Sequence, residues 1–405
     1  MPRMRRAIVL AASLFALPIS AGADDMDIAL SRLAYPVEFD PTTGDVNFDS
    51  NDNGFPDAEE PLTLGRDCGG RAGEPGEGFR CQPHQWAFRN LVAQLGRAFA
   101  PKLLAPAETL GYNGFYIGIE GSLIPIDQGA SYWIYGTEGE QAARDAGTAI
   151  TDREPASTLF VPALHVRKGL PLGAEFGTQL HWMSASELFG LGLDVKVAPF
   201  EGFFSGVGYL PSIAARGSVT RLLGDDELNL TVIGFDVSAS KAFGVWGQVE
   251  IAPFAGWQYM WIIADTEVVD FTPERDAWSE LNPVWNDFAR CLSTNGSTEA
   301  DVDLSGIDLD TDAGRTEADN LCEDAVDGGH WEADWEQSGA GDPDDYNNNG
   351  VFDREDMTHQ RLFGGIRVIW EHLSVTGEFA MDLNQYKTVE APKQWNASMA
   401  VGLDW

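Results

Sequence analysis

Ten stretches of this chain alternate apolar residues with polar or small ones at a period of two: 115–124, 158–167, 172–183, 189–199, 207–220, 229–240, 245–263, 361–370, 373–384 and 394–405. Successive side chains of an extended chain point to opposite faces, so each run makes a strand with one apolar face. In 189–197, Phe189, Leu191, Leu193, Val195 and Val197 share one face, and Gly190, Gly192, Asp194 and Lys196 the other. Alternation alone fits any half-buried antiparallel sheet. Two properties favour a membrane barrel. The runs exceed the usual five or six residues of soluble strands and match a tilted bilayer crossing. The polar face carries charges and glycines at mid-strand, while aromatics gather near the ends of the apolar face. Trp182, Tyr209, Trp257, Tyr259, Trp261, Trp370, Trp395 and Trp405 would form interfacial girdles. The expected fold class is all-β, an antiparallel transmembrane β-barrel of about ten strands (range roughly 8–12).

The connections support this reading. With a periplasmic N-terminus, even-numbered connections should be short turns and odd-numbered ones free to be long. The even ones are 168–171, 200–206, 241–244 and 371–372; the odd ones include 125–157 and 264–360. The inward face would carry Glu120, Glu175, Asp194, Asp236, Glu250, Glu378 and Asp382 against Arg167, Lys196, Arg216, Arg361 and Arg367. Ten strands leave little interior space, so these charges should pair across a sealed or nearly sealed lumen.

Residues 1–23 have the three parts of a secretory signal: Arg3, Arg5 and Arg6, the apolar Ala7–Pro18, and the small residues Ala21-Gly22-Ala23. The chain ends on Trp405, preceded at alternate positions by Leu403, Val401 and Met399. This terminus resembles the C-terminal aromatic signal of bacterial outer-membrane β-barrel proteins. That resemblance, carried by 113–263 and 361–405, implies the bacterial outer membrane as location, its lipid as surroundings, and the barrel assembly machinery as a partner. It implies architecture rather than activity.

The remaining text is acidic. The whole chain has 63 Asp and Glu against 26 Lys and Arg, a net charge of −37, which argues against nucleic-acid binding. Residues 264–360 alone hold 27 Asp and Glu against four Arg and no Lys. The expected organisation is a signal peptide at 1–23, a periplasmic segment at 24–112 and seven strands in 113–263. An acidic extracellular insertion at 264–360 and three strands in 361–405 complete it. Four cysteines fall in two local pairs, Cys68/Cys81 and Cys291/Cys322, within Gly- and Asp-rich segments. In an exported chain an even count points to disulfides, with three connectivities formally open.

Two segments have the spacing of a calcium loop, with oxygen ligands at alternate positions and a Gly at the sharp turn. In the first, Asp49, Asn51, Asn53, the Phe55 carbonyl, Asp57 and Glu60 would be ligands. In the second they would be Asp345, Asn347, Asn349, the Val351 carbonyl, Asp353 and Asp356. Pro56 and Phe352 depart from the EF-hand pattern at the eighth position, and both loops resemble those of thrombospondin type 3 repeats. The resemblance implies structural Ca2+, held at roughly 10⁻⁴–10⁻³ M.

Residues 84–104 carry Trp86, Phe88, Leu91, Val92, Leu95, Phe99 and Leu103 at helical spacing, with Arg89, Arg97 and Lys102 as the charged groups. Such a helix packs its stripe on the periplasmic rim or plugs an acidic lumen. The six histidines are scattered, and no nucleophile, base and orienter assemble into a catalytic set. His181 reads as a lumen hydrogen-bonder. The expected function is therefore a non-enzymatic surface protein whose acidic outer loop binds or shields. The alternatives are a narrow channel or hydrophobic-solute transporter gated by the 84–104 helix, and a purely structural barrel.

Overall fold

The computed structural model describes residues 26–39, 46–47, 79–139, 155–199, 211–225, 227–245, 248–271, 349–383 and 389–405. In chain order the elements begin with β1 (Ala34–Phe39), β2 (Val46–Asn47), β3 (Phe79–Pro83), α1 (Gln85–Phe99), β4 (Phe115–Pro125) and α2 (Ser131–Tyr135). Then come β5 (Thr158–Leu170), β6 (Ala174–Trp182), β7 (Phe189–Val197), β8 (Ser212–Leu223), β9 (Leu228–Ser240) and β10 (Phe243–Val245). The last are β11 (Val249–Thr266), β12 (Val269–Asp270), β13 (Asn349–Gly350), β14 (Glu355–Trp370), β15 (Leu373–Asp382) and β16 (Trp395–Asp404). They divide into two compact units, one of Met1–Ala29, Trp86–Glu267 and Phe352–Trp405, the other of Leu30–Gln85 and Val268–Val351.

The first unit is a closed antiparallel barrel of ten strands, in the order β4-β5-β6-β7-β8-β9-β11-β14-β15-β16, with β16 returning to β4. All ten alternating runs are strands of this ring. The outward face is apolar: Leu191, Leu193, Val195 and Val197 are each more than 40% exposed, while Gly190, Gly192, Asp194 and Lys196 are buried. The same phase holds on β15 and β16, where Val375, Phe379, Met381, Trp395, Met399 and Leu403 face outward. A continuous apolar belt of this kind is far larger than the few hundred Å² a soluble surface tolerates, and lipid is the solvent it suits. Trp182, Trp261, Trp370, Trp395 and Trp405 stand exposed on that face. Tyr209 lies outside the described residues.

Each strand differs from its expected run at one or both boundaries, for example Val249–Thr266 against 245–263 for β11 and Thr158–Leu170 against 158–167 for β5. β6 starts at Ala174 rather than 172, because Leu172 (φ 67°) and Gly173 (φ 65°) form the left-handed turn that reverses the chain. β8 is described from Ser212. β14 begins at Glu355, six residues before the alternating run, and pairs Glu355 with Ala264 on β11. Its first turn of alternation has the opposite polarity: Met357 and His359 are buried inside, while Asp356, Thr358 and Gln360 face out. The strand therefore continues past the apolar belt, beyond the span a hydropathy pattern can mark.

The ring has two unlike ends. At one, β5–β6, β9–β11 and β14–β15 are joined by brief turns. The connections between β4 and β5, β11 and β14, and β15 and β16 lie at the other. The four points where the chain passes from this unit into the second, at Ala29, Trp86, Glu267 and Phe352, all belong to that long-connection end. There Met26 N–H donates to the Ala185 carbonyl and Ala29 N–H to the Gly136 carbonyl. Asp27 accepts from Ser186 Oγ (2.7 Å) and Glu187 N–H (2.8 Å).

In the second unit β1 lies antiparallel between β2 and β3, and β12 pairs with β13. Tyr35 and His84 meet edge to face at 5.6 Å. Cys81, buried on β3, is disulfide-bonded. Residues 1–23, the first calcium loop from Asp49 to Glu60, and Cys68, Cys291 and Cys322 lie outside the described residues.

Candidate functional site: the occupied lumen

The barrel interior is filled by the chain's own residues 86–110. α1 follows the apolar stripe, and Phe88, Leu91, Val92, Leu95 and Phe99 are completely or almost completely buried. Its N-terminal half is held by the long-connection end. Asn90 Oδ1 accepts the Glu390 and Ala391 N–H groups at 2.8 and 2.7 Å, and Trp133 Nε1 donates to Gln94 Oε1. Arg89 Nε pairs with Glu355 Oε1 at 2.8 Å, and Phe88 stacks on Phe352 at 4.7 Å. Burial, with Asp127 adding to it, pushes the neighbouring Tyr132 phenol above its ordinary range.

Of the two placements open for this helix, the rim and the lumen, it takes the lumen, near the long-connection end.

Below α1, Pro101 cannot continue the helix, and 100–110 runs down the lumen as irregular chain with Leu104 at φ 42°. Backbone outside helix and sheet leaves its carbonyls unpaired, and the wall supplies the donors. The Pro101 carbonyl accepts from Arg216 NH2 (3.2 Å), Gln258 Nε2 (3.0 Å) and Arg361 NH2 (3.1 Å). The Lys102 carbonyl takes Arg216 NH1 at 2.8 Å. Lys196 Nζ reaches the Pro106 and Glu108 carbonyls at 3.3 and 3.0 Å. In the other direction the N–H groups of Leu104, Ala107 and Leu110 donate to Glu378, Ser240 and Glu175 at 2.9, 2.9 and 3.0 Å. At the short-turn end the chain leaves the lumen, where Gly169 N–H meets the Gly114 carbonyl, and enters β4.

The inward charges pair as expected. Arg97 donates to Asp382 (2.9 Å) and to the Pro392 carbonyl (3.0 Å). Arg216 pairs with Asp236 (2.6 Å), and Glu175 with both Arg167 and Lys196 (3.2 Å each). Arg367 pairs with Asp404. His165 lies between Glu120 (2.7 Å) and Asp194 (3.5 Å). Three are exceptions: Arg361 and Glu378 bond to the plug backbone at Pro101 and Leu104 instead, and Glu250 has the inward phase but is exposed at the short-turn end of β11. His165, with Gln179 at 2.9 Å, fills the hydrogen-bonding role expected of His181, whose buried Nε2 has no partner among the described residues.

Sequence reading missed Tyr116. Its ring lies flat on the wall where Gly118 and Gly402 leave room; a Cβ on either would sit 2.1 and 2.3 Å from ring atoms. The Arg167 guanidinium covers it at 4.0 Å from the centroid and Arg367 approaches at 5.7 Å. The signal was present as an aromatic with inward parity between two inward glycines.

Of the second calcium loop, Asp345 and Asn347 lie outside the described residues. Asn349 belongs to β13, Val351 and Asp353 are exposed, and Phe352 is buried. Asp356, expected to close the loop, is the second residue of β14, exposed and paired with Arg354 at 3.2 Å.

No protein-family model matches this chain, and no curated protein does. Among solved structures it is similar to the N-terminal β-barrel domain of Pseudomonas aeruginosa OprF, at 9% identity and a TM-score of 0.23 over 73% of this chain and 99% of that one. The translocator domain of the autotransporter NalP from Neisseria meningitidis is similar at 9% identity and 0.31, over 79% and 96%. The attachment invasion locus protein Ail of Yersinia pestis is similar at 6% and 0.23, over 73% and 99%. The barrel reading itself rests on ring closure and the apolar outer face.

Proposed function

We propose that this chain is a non-enzymatic integral barrel of the bacterial outer membrane, exported by its first 23 residues. Its role is to carry two acidic stretches, 24–85 and 268–351, at the cell surface for binding or shielding. The observation that supports this most is that the four points where the chain leaves the barrel share one end of the ring. Loops at that end of a barrel are where surface function is placed. The terminal Val401, Leu403 and Trp405 serve as the signal for the assembly machinery. Ca2+ at the two Asp/Asn loops and disulfides Cys68–Cys81 and Cys291–Cys322 stabilise stretches too poor in apolar residues to build a large core.

Epitope tags in 40–45, in 296–300 and in the short turn at 241–242 test the topology on intact cells. The reading requires antibody binding to the first two and none to the third; the reverse pattern sinks it. Calcium titration of detergent-folded protein, followed by proteolysis with and without chelator, tests the loops. Calcium-dependent protection of 268–351 is the expected result, and cleavage regardless of calcium reduces the second loop to a turn.

A further inference from the structure

The wall around α1 is apolar, with Leu230, Val232, Met260, Ile262 and Met357 buried on its inward face, but below the helix the lumen is largely polar although the chain's own residues fill it. A wall closed for good by its own chain gains little from buried ion pairs, since well-packed apolar residues of similar volume are usually at least as stable. The chain is able to pack that way, as the Leu91, Leu95 and Phe99 stripe shows. Around 100–110 it adds to the packing of Leu103 and Ala105 on Phe254, Phe363 and Ala380 a set of side-chain bonds to backbone, whose partners water can replace. Polar atoms on both sides of the lumen, such as His181 Nε2, Arg167 Nε and Asn396 Oδ1, also lack a partner among the described residues. These are the marks of a wall that is hydrated at some stage.

The charge is graded as well. Toward the long-connection end Asp382 stands in register with Arg361. Nearer mid-barrel Glu378 has no cationic side chain bonded to it among the described residues, Glu120 and Asp194 share His165, and Asp236 pairs with Arg216, itself in register with Lys196. The plug places a cation of its own in this zone, Arg97 on Asp382, while the Lys102 ammonium donates to the plug's own Ala98 carbonyl. Toward the short turns the balance reverses, with Arg167, Lys196 and Arg367 against Glu175 and Asp404.

We propose that the plug is displaceable and that the vacated lumen is a water-filled passage preferring small cations. Arg97 then holds, in the closed barrel, a place beside Asp382 that a permeant cation takes in the open one. This activity is independent of surface display.

The test is planar-bilayer recording of the full chain across a KCl gradient. Wild type should be mostly silent. Arg97→Ala, which unlatches α1 from Asp382, should give current steps with K+ several-fold more permeant than Cl−. Adding Glu378→Gln should shrink that preference by about half or more. A folded Arg97→Ala that stays silent, or one whose current prefers Cl−, overturns the proposal. Should that variant fail to insert, Ser398→Cys in the otherwise native chain gives a second readout. Under applied voltage a cationic thiosulfonate should modify this lumen position faster than an anionic one. No modification, or the opposite order, overturns the proposal equally.

Discussion

The two halves of the plug are held by different means. From Trp86 to Phe99 the chain is helical, satisfies its own backbone, and offers the wall an apolar stripe. From Ala100 to Leu110 it is irregular, and its carbonyls and amides are satisfied one by one by Arg216, Gln258, Arg361, Lys196, Glu378, Ser240 and Glu175. The first half depends mainly on volume and shape; the second adds charge-assisted donors to the packing of Leu103 and Ala105 on Phe254, Phe363 and Ala380. A small-to-large or large-to-small change should therefore be felt in the helix, and loss of a donor in the irregular run.

Arg216→Leu should produce the largest effect. It strips donors from two plug carbonyls and leaves Asp236 buried without its 2.6 Å partner, a loss of about 3–5 kcal/mol for a broken buried pair. Hydrogen exchange should quicken at the amides of 102–105 while those of 88–95 keep their protection; equal loss in both halves would erase the distinction. Leu91→Ala tests the other half. A buried leucine truncated to alanine costs about 2–5 kcal/mol, and here the protection of 88–95 should fall first. Gly96→Val overpacks the same half, because even a Cβ would stand 2.5 Å from Ile262 Cγ2. The expected cost is about 1–3 kcal/mol, read as a lower temperature for loss of the heat-resistant folded band on a gel.

This contrast also explains what the sequence could and could not disclose. Lipid imposes a period of two on every strand, so all ten runs were legible, and the inward charges with them. β14 overran its run because Met357 and His359 invert the polarity once the strand rises past the apolar belt. The α1 stripe was legible as a helix, but not its end of the barrel. That position is fixed by Asn90, Gln94 and Arg97 meeting groups three hundred residues away or on a distant loop. The irregular half left almost no trace, since its key acceptor is the carbonyl of Pro101, and backbone oxygens have no residue code. Tyr116 was hidden for a related reason: its place depends on two glycines on neighbouring strands, paired only by register.

Gln258→Leu carries the smallest expected effect and the sharpest discrimination. Gln258 gives the Pro101 carbonyl one neutral donor at 3.0 Å, while Arg216 and Arg361 supply two charged ones at 3.2 and 3.1 Å. A carbonyl has two lone pairs, so it remains satisfied when the third donor leaves. The loss should not exceed about 0.5–1.5 kcal/mol, the net worth of one neutral bond. Leucine fills most of the space, and the orphaned Gln258 Oε1 is removed along with the donor. Exchange at the amides of 102–105 should thus change far less than in Arg216→Leu. If the two variants loosen the plug equally, the hold on 100–110 is one of wall volume rather than charged donors, and the two halves are held alike.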